Sequence, residues 1–264
     1  MPISFEKRLT QNYCKNIAEA NRALAPNNKY DFKDYQLTDY DCIALKPMAI
    51  VDAKGFYFNA LVSFLHGCHS IMNGCVSWAC VELYYSIYYA LRAQFYYQSY
   101  VLIRDNSLYL LKIAKDEHPI RHGNKKYNTD HGGTMNFFID KYGDSDFLCS
   151  NTIDTMNVYE WLMDLRETTN YRHKYFNEPG CFEILNSLTE RITNEGISMS
   201  LKDFRNDFRT YCFSDAHAWL CAPYYKLTEI AALYKANDEK FSPEQESYID
   251  RAIMGMALDI HEFI

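Results

Sequence analysis

The sequence predicts an all-α protein with a little strand near residues 42–51. Residues 77–103 are apolar or aromatic on nearly every helical face, which is typical of a central buried helix. Ser242-Pro243-Glu244-Gln245 has the pattern of a capping box with proline at the first helical position. Along residues 152–173, apolar residues recur with the spacing of one buried stripe: Val158, Trp161, Leu162, Leu165 and Thr169.

The other elements follow from periodicity and stop signals, in chain order. A first helix is expected over residues 4–24, an irregular Tyr-rich stretch over 27–41, a strand or two over 42–51, and a helix from residue 57 to Asn73-Gly74. Residues 115–133 are rich in His, Lys and Arg and predict a long surface loop, followed by a short helix over 134–143. Further helices are expected over residues 181–194, 200–211, 214–236 and 243–263.

Composition and charge argue against several classes of protein. The 264 residues carry a net charge of −7, which argues against a general nucleic-acid coat protein. The nine cysteines form no CxxC pair and no secretory signal precedes them, so reduced thiols in a cytoplasm are expected. Polar residues interrupt the longest uncharged stretch, 55–81, and predict a soluble chain without a membrane span.

Arg166, Asn170 and His173 are the residues that best suggest chemistry. On a regular α-helix they share one stripe, although seven residues separate Arg166 from His173 by about 10 Å of helix rise. An arginine can neutralise charge that builds on a phosphate, and a histidine with a pKa of about 6.5 can move protons near neutral pH. A substrate phosphate or a second copy of the chain would have to bridge that distance.

Residues 166–173 carry a motif of arginine, a polar residue (Glu167), five further residues and histidine, near the end of a helix. In this the chain resembles the HEPN superfamily of α-helical ribonucleases and toxins, whose signature is Arg, four to six residues, then His. The YYSIYYALRA run also resembles that family's long inner helix. The resemblance divides the chain into an N-terminal arm (1–54), a HEPN-like bundle (55–176) and a C-terminal helical extension packed on it (177–264).

The resemblance implies a metal-independent endoribonuclease without cofactor, acting as a bacterial toxin or antiviral defence effector. Arg166 would stabilise the transition state, His173 would act as general acid or base, and Asn170 and Glu167 would support them. RNA would be the partner, with a homodimer forming a composite site and an antitoxin or regulatory protein controlling it. Four cations are expected to guide the RNA backbone: Arg172, Arg121, Lys125 and Lys126.

Other interpretations stay open. The same bundle could bind a nucleotide or a partner protein without catalysis, or the C-terminal ninety residues could make the interface of a regulatory subunit. A zinc site at His66, Cys68, His69 and Cys75 is disfavoured, because zinc sites have tighter paired spacings. The acidic face at Glu160, Asp164 and Glu167 is interpreted as solvated, and the tyrosine pairs at 84/85, 88/89, 96/97 and 224/225 as core packing.

Overall fold

The computed structural model describes residues 8–24, 30–172, 182–254, 256, 258–259 and 263. Within these residues the protein is mostly α-helical, so the predicted fold class is confirmed. The regular elements are α1 (Leu9–Leu24), α2 (Asp39–Met72), α3 (Val76–Tyr97), β1 (Tyr100–Asp105), β2 (Ser107–Lys112), α4 (Asp130–Tyr142), β3 (Thr152–Ile153), β4 (Met156–Asn157), α5 (Val158–Glu167), α6 (Glu183–Glu195), α7 (Ile197–Asn206), α8 (Phe208–Tyr211), α9 (Asp215–Ala236) and α10 (Pro243–Ala252).

The chain forms two compact units, each built from separated segments. The first comprises Met1–Phe56 and Leu91–Asp140, and the second comprises Tyr57–Ala90 and Lys141–Ile264. The expected division into arm, core and extension stays a prediction, since its second boundary, 176/177, lies outside the described residues.

In the first unit, α1 lies along the β1–β2 hairpin. The side chain of Gln11 donates to the carbonyl of Arg104 and accepts from its N–H, both at 2.9 Å. Asp52 on α2 accepts hydrogen bonds from the backbone and hydroxyl of Thr10 at 2.9 and 2.6 Å, which ties α1 to α2. Aromatic contacts such as Phe95–Phe138, with ring centroids 5.6 Å apart, fill the core of this unit.

In the second unit, α9 is the central helix. Trp219 and Leu220 on it are fully buried, which explains the absence of a polar face in its sequence. Tyr234 of α9 packs against Tyr57 and Phe241, with ring centroids 5.2 and 4.8 Å apart. Burial of these large rings holds the helices of the unit together.

The strand expected over residues 42–51 is wrong, because this segment lies inside α2. A short apolar run without periodicity suits a buried helix as well as a strand. Thr38 and Asp41 set the helix start: the Thr38 hydroxyl accepts from the Asp41 N–H at 3.2 Å, and the Asp41 carboxylate accepts from the Thr38 N–H at 2.8 Å. Pro47 is accommodated within the helix.

Parts of two predicted helices, those over residues 77–103 and 152–173, form β-hairpins instead. The helix expected over 77–103 ends at Tyr97, and the chain turns at Ser99 (φ 62°) and Asn106 (φ 58°) to form β1 and β2. Residues 152–157 form a second hairpin, with Asp154 and Thr155 at φ 48° and 70°, the positive values that a two-residue hairpin turn of mirror-image type requires. The helix predicted to begin at residue 152 therefore begins at Val158.

The C-terminal helices follow the predictions more closely. The capping box of Ser242 and Gln245 is present, with both reciprocal hydrogen bonds, although α10 ends at Ala252 and not at residue 263. The helix expected over 200–211 is divided at Asp207 into α7 and α8. Within the expected surface loop, Lys125–Tyr127 form one 3-10 turn and α4 begins at Asp130.

Within the described part of the chain, one helix, α2, is long and apolar enough to span a membrane by length and composition. Its most apolar 18-residue window has a mean hydropathy of 1.3, and 44% of that window is buried inside the protein. Core helices of soluble proteins meet the same criterion, so α2 is weak evidence for a membrane span.

Candidate functional site at Arg166

The candidate site begins with α5, which carries the first half of the arginine motif. The side chain of Asn157 caps the helix by accepting from the Glu160 N–H at 3.0 Å. Arg166 lies in the last turn, and Thr168–Arg172 continue as a π-helical turn. Hydrogen bonds to the fifth residue change the rotation per residue, so the single α-helical stripe expected for Arg166 and Asn170 does not extend through this turn. His173 lies outside the described residues.

Arg166 is a buried cation near two tyrosine rings. Its side chain is 7% exposed, and its guanidinium carbon lies 4.7 Å from the ring centroid of Tyr84 and 5.5 Å from that of Tyr171. These distances are within cation–π range. Among the described residues, the Nε–H of Arg166 has no hydrogen-bond partner. A buried donor without a partner is costly, so its presence calls for an explanation.

Tyr84 is the fully buried ring near Arg166. Burial raises the pKa of the Tyr84 hydroxyl, and the nearby guanidinium of Arg166 acts in the opposite direction. The net effect is a raised pKa, so Tyr84 is neutral near pH 7 and presents an aromatic face and a hydroxyl to Arg166. Tyr171, by contrast, is 70% exposed.

Glu167 pairs with Arg172. Arg172 lies 3.6 Å from the Glu167 carboxylate and 2.8 Å from that of Asp164, and it donates to the Thr168 hydroxyl at 3.2 Å. These contacts offset the negative charge of Glu167 beside Arg166, and they also offset much of the positive charge expected to attract RNA to Arg172. Asn170 is half-buried in the π-helical turn.

The other three expected RNA contacts belong to the first unit. Arg121 is paired with Asp31 at 3.3 Å, and Lys126 lies 4.9 Å from the ring centroid of Tyr127. Lys125 is exposed on the same 3-10 turn, which Asn124 caps. Arg166, Glu167, Asn170 and Arg172 lie on one segment of the second unit, whereas Arg121, Lys125 and Lys126 belong to the first unit.

The histidines considered as zinc ligands have other partners. The Nε2 of His66 lies 2.6 Å from the Tyr248 hydroxyl, and the Nε2 of His69 lies 2.6 Å from the Ala252 carbonyl. Throughout the part of the chain that the structure describes, no three His, Cys, Asp or Glu side chains are grouped as a metal ion would require.

Sequence reasoning missed the aromatic neighbours of the site. Tyr84 was interpreted as core packing, which its burial bears out, but its contact with Arg166 joins residues 82 positions apart. A cleft of about 350 Å³ between α2 and α3, lined in part by Trp78, Glu82 and Tyr85, was not predicted. Its signal in the sequence is the spacing of these residues at i, i+4 and i+7 on one face of α3.

Comparisons with protein-family models, with curated proteins and with solved structures found no match. The functional assignment therefore depends on the geometry of the site itself.

Proposed function

We propose that the protein is a metal-independent endoribonuclease in which Arg166 contacts the scissile phosphate. The observation that carries this proposal is the buried guanidinium with an unpartnered Nε–H. Planar N–H donors match phosphate oxygens in geometry and charge, and a phosphate would satisfy the orphan donor. The rings of Tyr84 and Tyr171, with centroids 4.7 and 5.5 Å from the guanidinium carbon, would restrict its movement before substrate arrives.

The chemistry needs a proton carrier and a charge stabiliser. The ribose 2′-hydroxyl loses its proton to a base and attacks phosphorus, while the bond to the 5′-oxygen breaks and that oxygen takes up a proton. The products are a 2′,3′-cyclic phosphate and a 5′-hydroxyl end. His173 would supply the proton transfers, and Arg166 would stabilise the charge that develops on the non-bridging oxygens.

The wider setting of the proposal comes from the HEPN-like motif. It suggests a cytoplasmic bacterial toxin or antiviral defence effector, controlled by an antitoxin or another regulatory protein. A homodimer with a composite cleft would let the arginine of one copy act together with the histidine of the other.

Cleavage of total RNA by the purified protein in EDTA tests the proposal. We expect wild type to give discrete fragments with 2′,3′-cyclic phosphate ends, and Arg166→Ala and His173→Ala each to lower the rate by about 100-fold or more. Arg166→Lys keeps the charge but loses the planar donors, so it should also be slow. Arg209→Ala, at an exposed arginine on α8, is the matched control and should cleave normally. Cleavage that survives both alanine variants would refute the assignment.

A non-catalytic module that binds a nucleotide or a partner protein is the second candidate. The near-complete burial of Arg166 favours it, because a guanidinium near two rings also stabilises a fold. Arg166→Met separates the two candidates. A structural arginine predicts a loss of about 2 kcal/mol or more in the free energy of unfolding, whereas a functional arginine with an unsatisfied donor predicts little loss or a gain.

A further inference from the structure

A cleft between α2 and α3 has the composition of a ligand site unrelated to the arginine motif. It encloses about 350 Å³ and is lined by Val62 and His66 of α2 and by Trp78, Glu82, Tyr85 and Tyr89 of α3. That volume lies within the range of small-molecule pockets, which is roughly 300–1,000 Å³. All of these residues belong to the second unit.

The aromatic residues of the cleft form one stripe along α3. Trp78, Tyr85 and Tyr89 are separated by seven and four residues, so they share a helical face. Trp78 is 45% exposed, which is unusual for the largest apolar side chain. The rings of Tyr85 and Tyr89 lie 6.0 Å apart with their planes inclined by 32°. The stripe therefore presents aromatic surface to the cleft and not only to the core.

Glu82 places a negative charge within this stripe, one turn from Trp78 and from Tyr85. The hydroxyl of Ser70 donates to its carboxylate at 2.6 Å, which holds the side chain in position. A carboxylate has about four acceptor sites, so most of them are left for a ligand. Among the described residues, no Lys or Arg lines the cleft, and its histidine, His66, has its Nε2 2.6 Å from the Tyr248 hydroxyl. The half-buried carboxylate of Glu82 therefore has no Lys or Arg counter-ion among the described residues that line the cleft.

We infer that this cleft binds a small organic ammonium cation, of the size and methylated character of choline. Aromatic faces attract weakly hydrated cations, and a neighbouring carboxylate adds direct charge complementarity. An anionic ligand such as a nucleotide phosphate would meet the charge of Glu82, and no Lys or Arg of the described cleft lining would compensate it. The inference is independent of the proposed nuclease activity, because neither Arg166 nor His173 contributes to it.

Isothermal titration calorimetry of the full chain tests this inference. We expect saturable binding of choline chloride at constant ionic strength, and binding at least about ten-fold weaker for 3,3-dimethyl-1-butanol, its uncharged carbon isostere. Trp78 fluorescence gives a local readout, since the other two tryptophans, Trp161 and Trp219, are buried. Equal affinity for the neutral isostere, or binding of cytidine but not choline, would overturn the inference.

Single-residue variants test whether choline binds in this cleft. Glu82→Gln keeps the shape and the acceptor for Ser70 but removes the charge, so choline affinity should fall by about ten-fold. Trp78→Ala should lower it by a similar factor. Tyr40→Ala removes a 75% exposed ring elsewhere on α2 and should leave binding unchanged. Thermal melting checks that each variant is folded, and unchanged affinity in a folded Glu82→Gln protein would count against the site.

Discussion

Lys226 is the most deeply buried cation among the side chains that the structure describes. Its ammonium donates to Asp146 at 2.6 Å and to Glu229 at 2.8 Å. Asp146 also accepts from the Tyr159 hydroxyl at 2.7 Å and from the Leu148 N–H at 3.0 Å. This network is satisfied from several sides, in contrast to the unpartnered Nε–H of Arg166, and it therefore has a structural explanation.

Lys226→Met should lower the free energy of unfolding by about 3–5 kcal/mol, because it leaves Asp146 as a buried charge without its cation. Urea unfolding measures the change. Lys235→Met, at an exposed lysine of the same helix, is the control and should shift stability by less than about 0.5 kcal/mol. A loss below about 1 kcal/mol in Lys226→Met would mean that Asp146 finds water or is protonated in the variant.

At the scale of elements, α2 and α3 approach closely at Gly67. A Cβ atom on Gly67 would lie 2.8 Å from Cγ of the buried Leu83, whereas a Cβ on Gly55 of the same helix would meet nothing within 4 Å. The two glycines thus differ in role although both lie inside one helix. Gly67 permits the packing of two helices, and Gly55 only lowers helix propensity.

Gly67→Ala should cost about 1–3 kcal/mol of stability through overpacking against Leu83. Gly55→Ala should raise stability by about 0.5–1 kcal/mol, because alanine loses less backbone entropy on folding. Thermal or urea unfolding of both variants measures this opposite response. The same sign of change for both would contradict the close approach of α2 and α3 at this position.

Asp41 at the start of α2 also joins neighbouring elements. Its carboxylate accepts from the hydroxyls of Tyr13 and Tyr35 at 2.8 and 2.9 Å, in addition to its bonds with Thr38. Burial alone would raise the pKa of Asp41, but the hydrogen bonds from Thr38, Tyr13 and Tyr35 lower it below the ordinary value of 3.8. One carboxylate therefore stabilises the helix start and fixes α1 beside it.

This lowered pKa predicts a pH dependence of stability. The contribution of Asp41 is fully present above its unfolded pKa and is lost as the pH falls through its lower folded pKa. Asp41→Asn should cost about 1–3 kcal/mol near neutral pH and should flatten the loss of stability below about pH 4. Urea midpoints measured along the pH series test this. An acid limb as steep in Asp41→Asn as in wild type would show that other carboxylates dominate.

Elements whose signals are local were predicted well. The capping box of Ser242 and Gln245 and the limits of α9 depend on neighbouring residues. The β1–β2 hairpin was missed because both strands are buried on both faces, so their residues read as a continuous apolar run and not as an alternation. The turn residues Asp105-Asn106 are the one indication of the hairpin in the sequence. They are easily overlooked, because the apolar residues before them continue the apolar pattern of α3.

For the whole molecule, the sequence did not predict contacts between residues that are far apart along the chain. Arg166 stands out because of its motif, but its ring partner Tyr84 comes from another helix of the second unit. The sequence around Glu82 gave no signal of a site, because the absence of Lys and Arg from the described lining of its cleft is a property of three-dimensional packing. The pattern of a single helix thus indicates which side chains are candidates for a functional site. Only the folded chain shows which of these charges and hydrogen-bond donors have partners.

The exposure of Cys75 has a practical consequence for labelling. Of the eight cysteines that the structure describes, Cys75 is the exposed one, and it lies in the turn between α2 and α3, three residues before Trp78. Burial raises the pKa of Cys14 and Cys68, which keeps those thiols protonated and slow to react. Among the described cysteines, a maleimide dye would therefore attach first at Cys75, and its emission would report on changes near the start of α3.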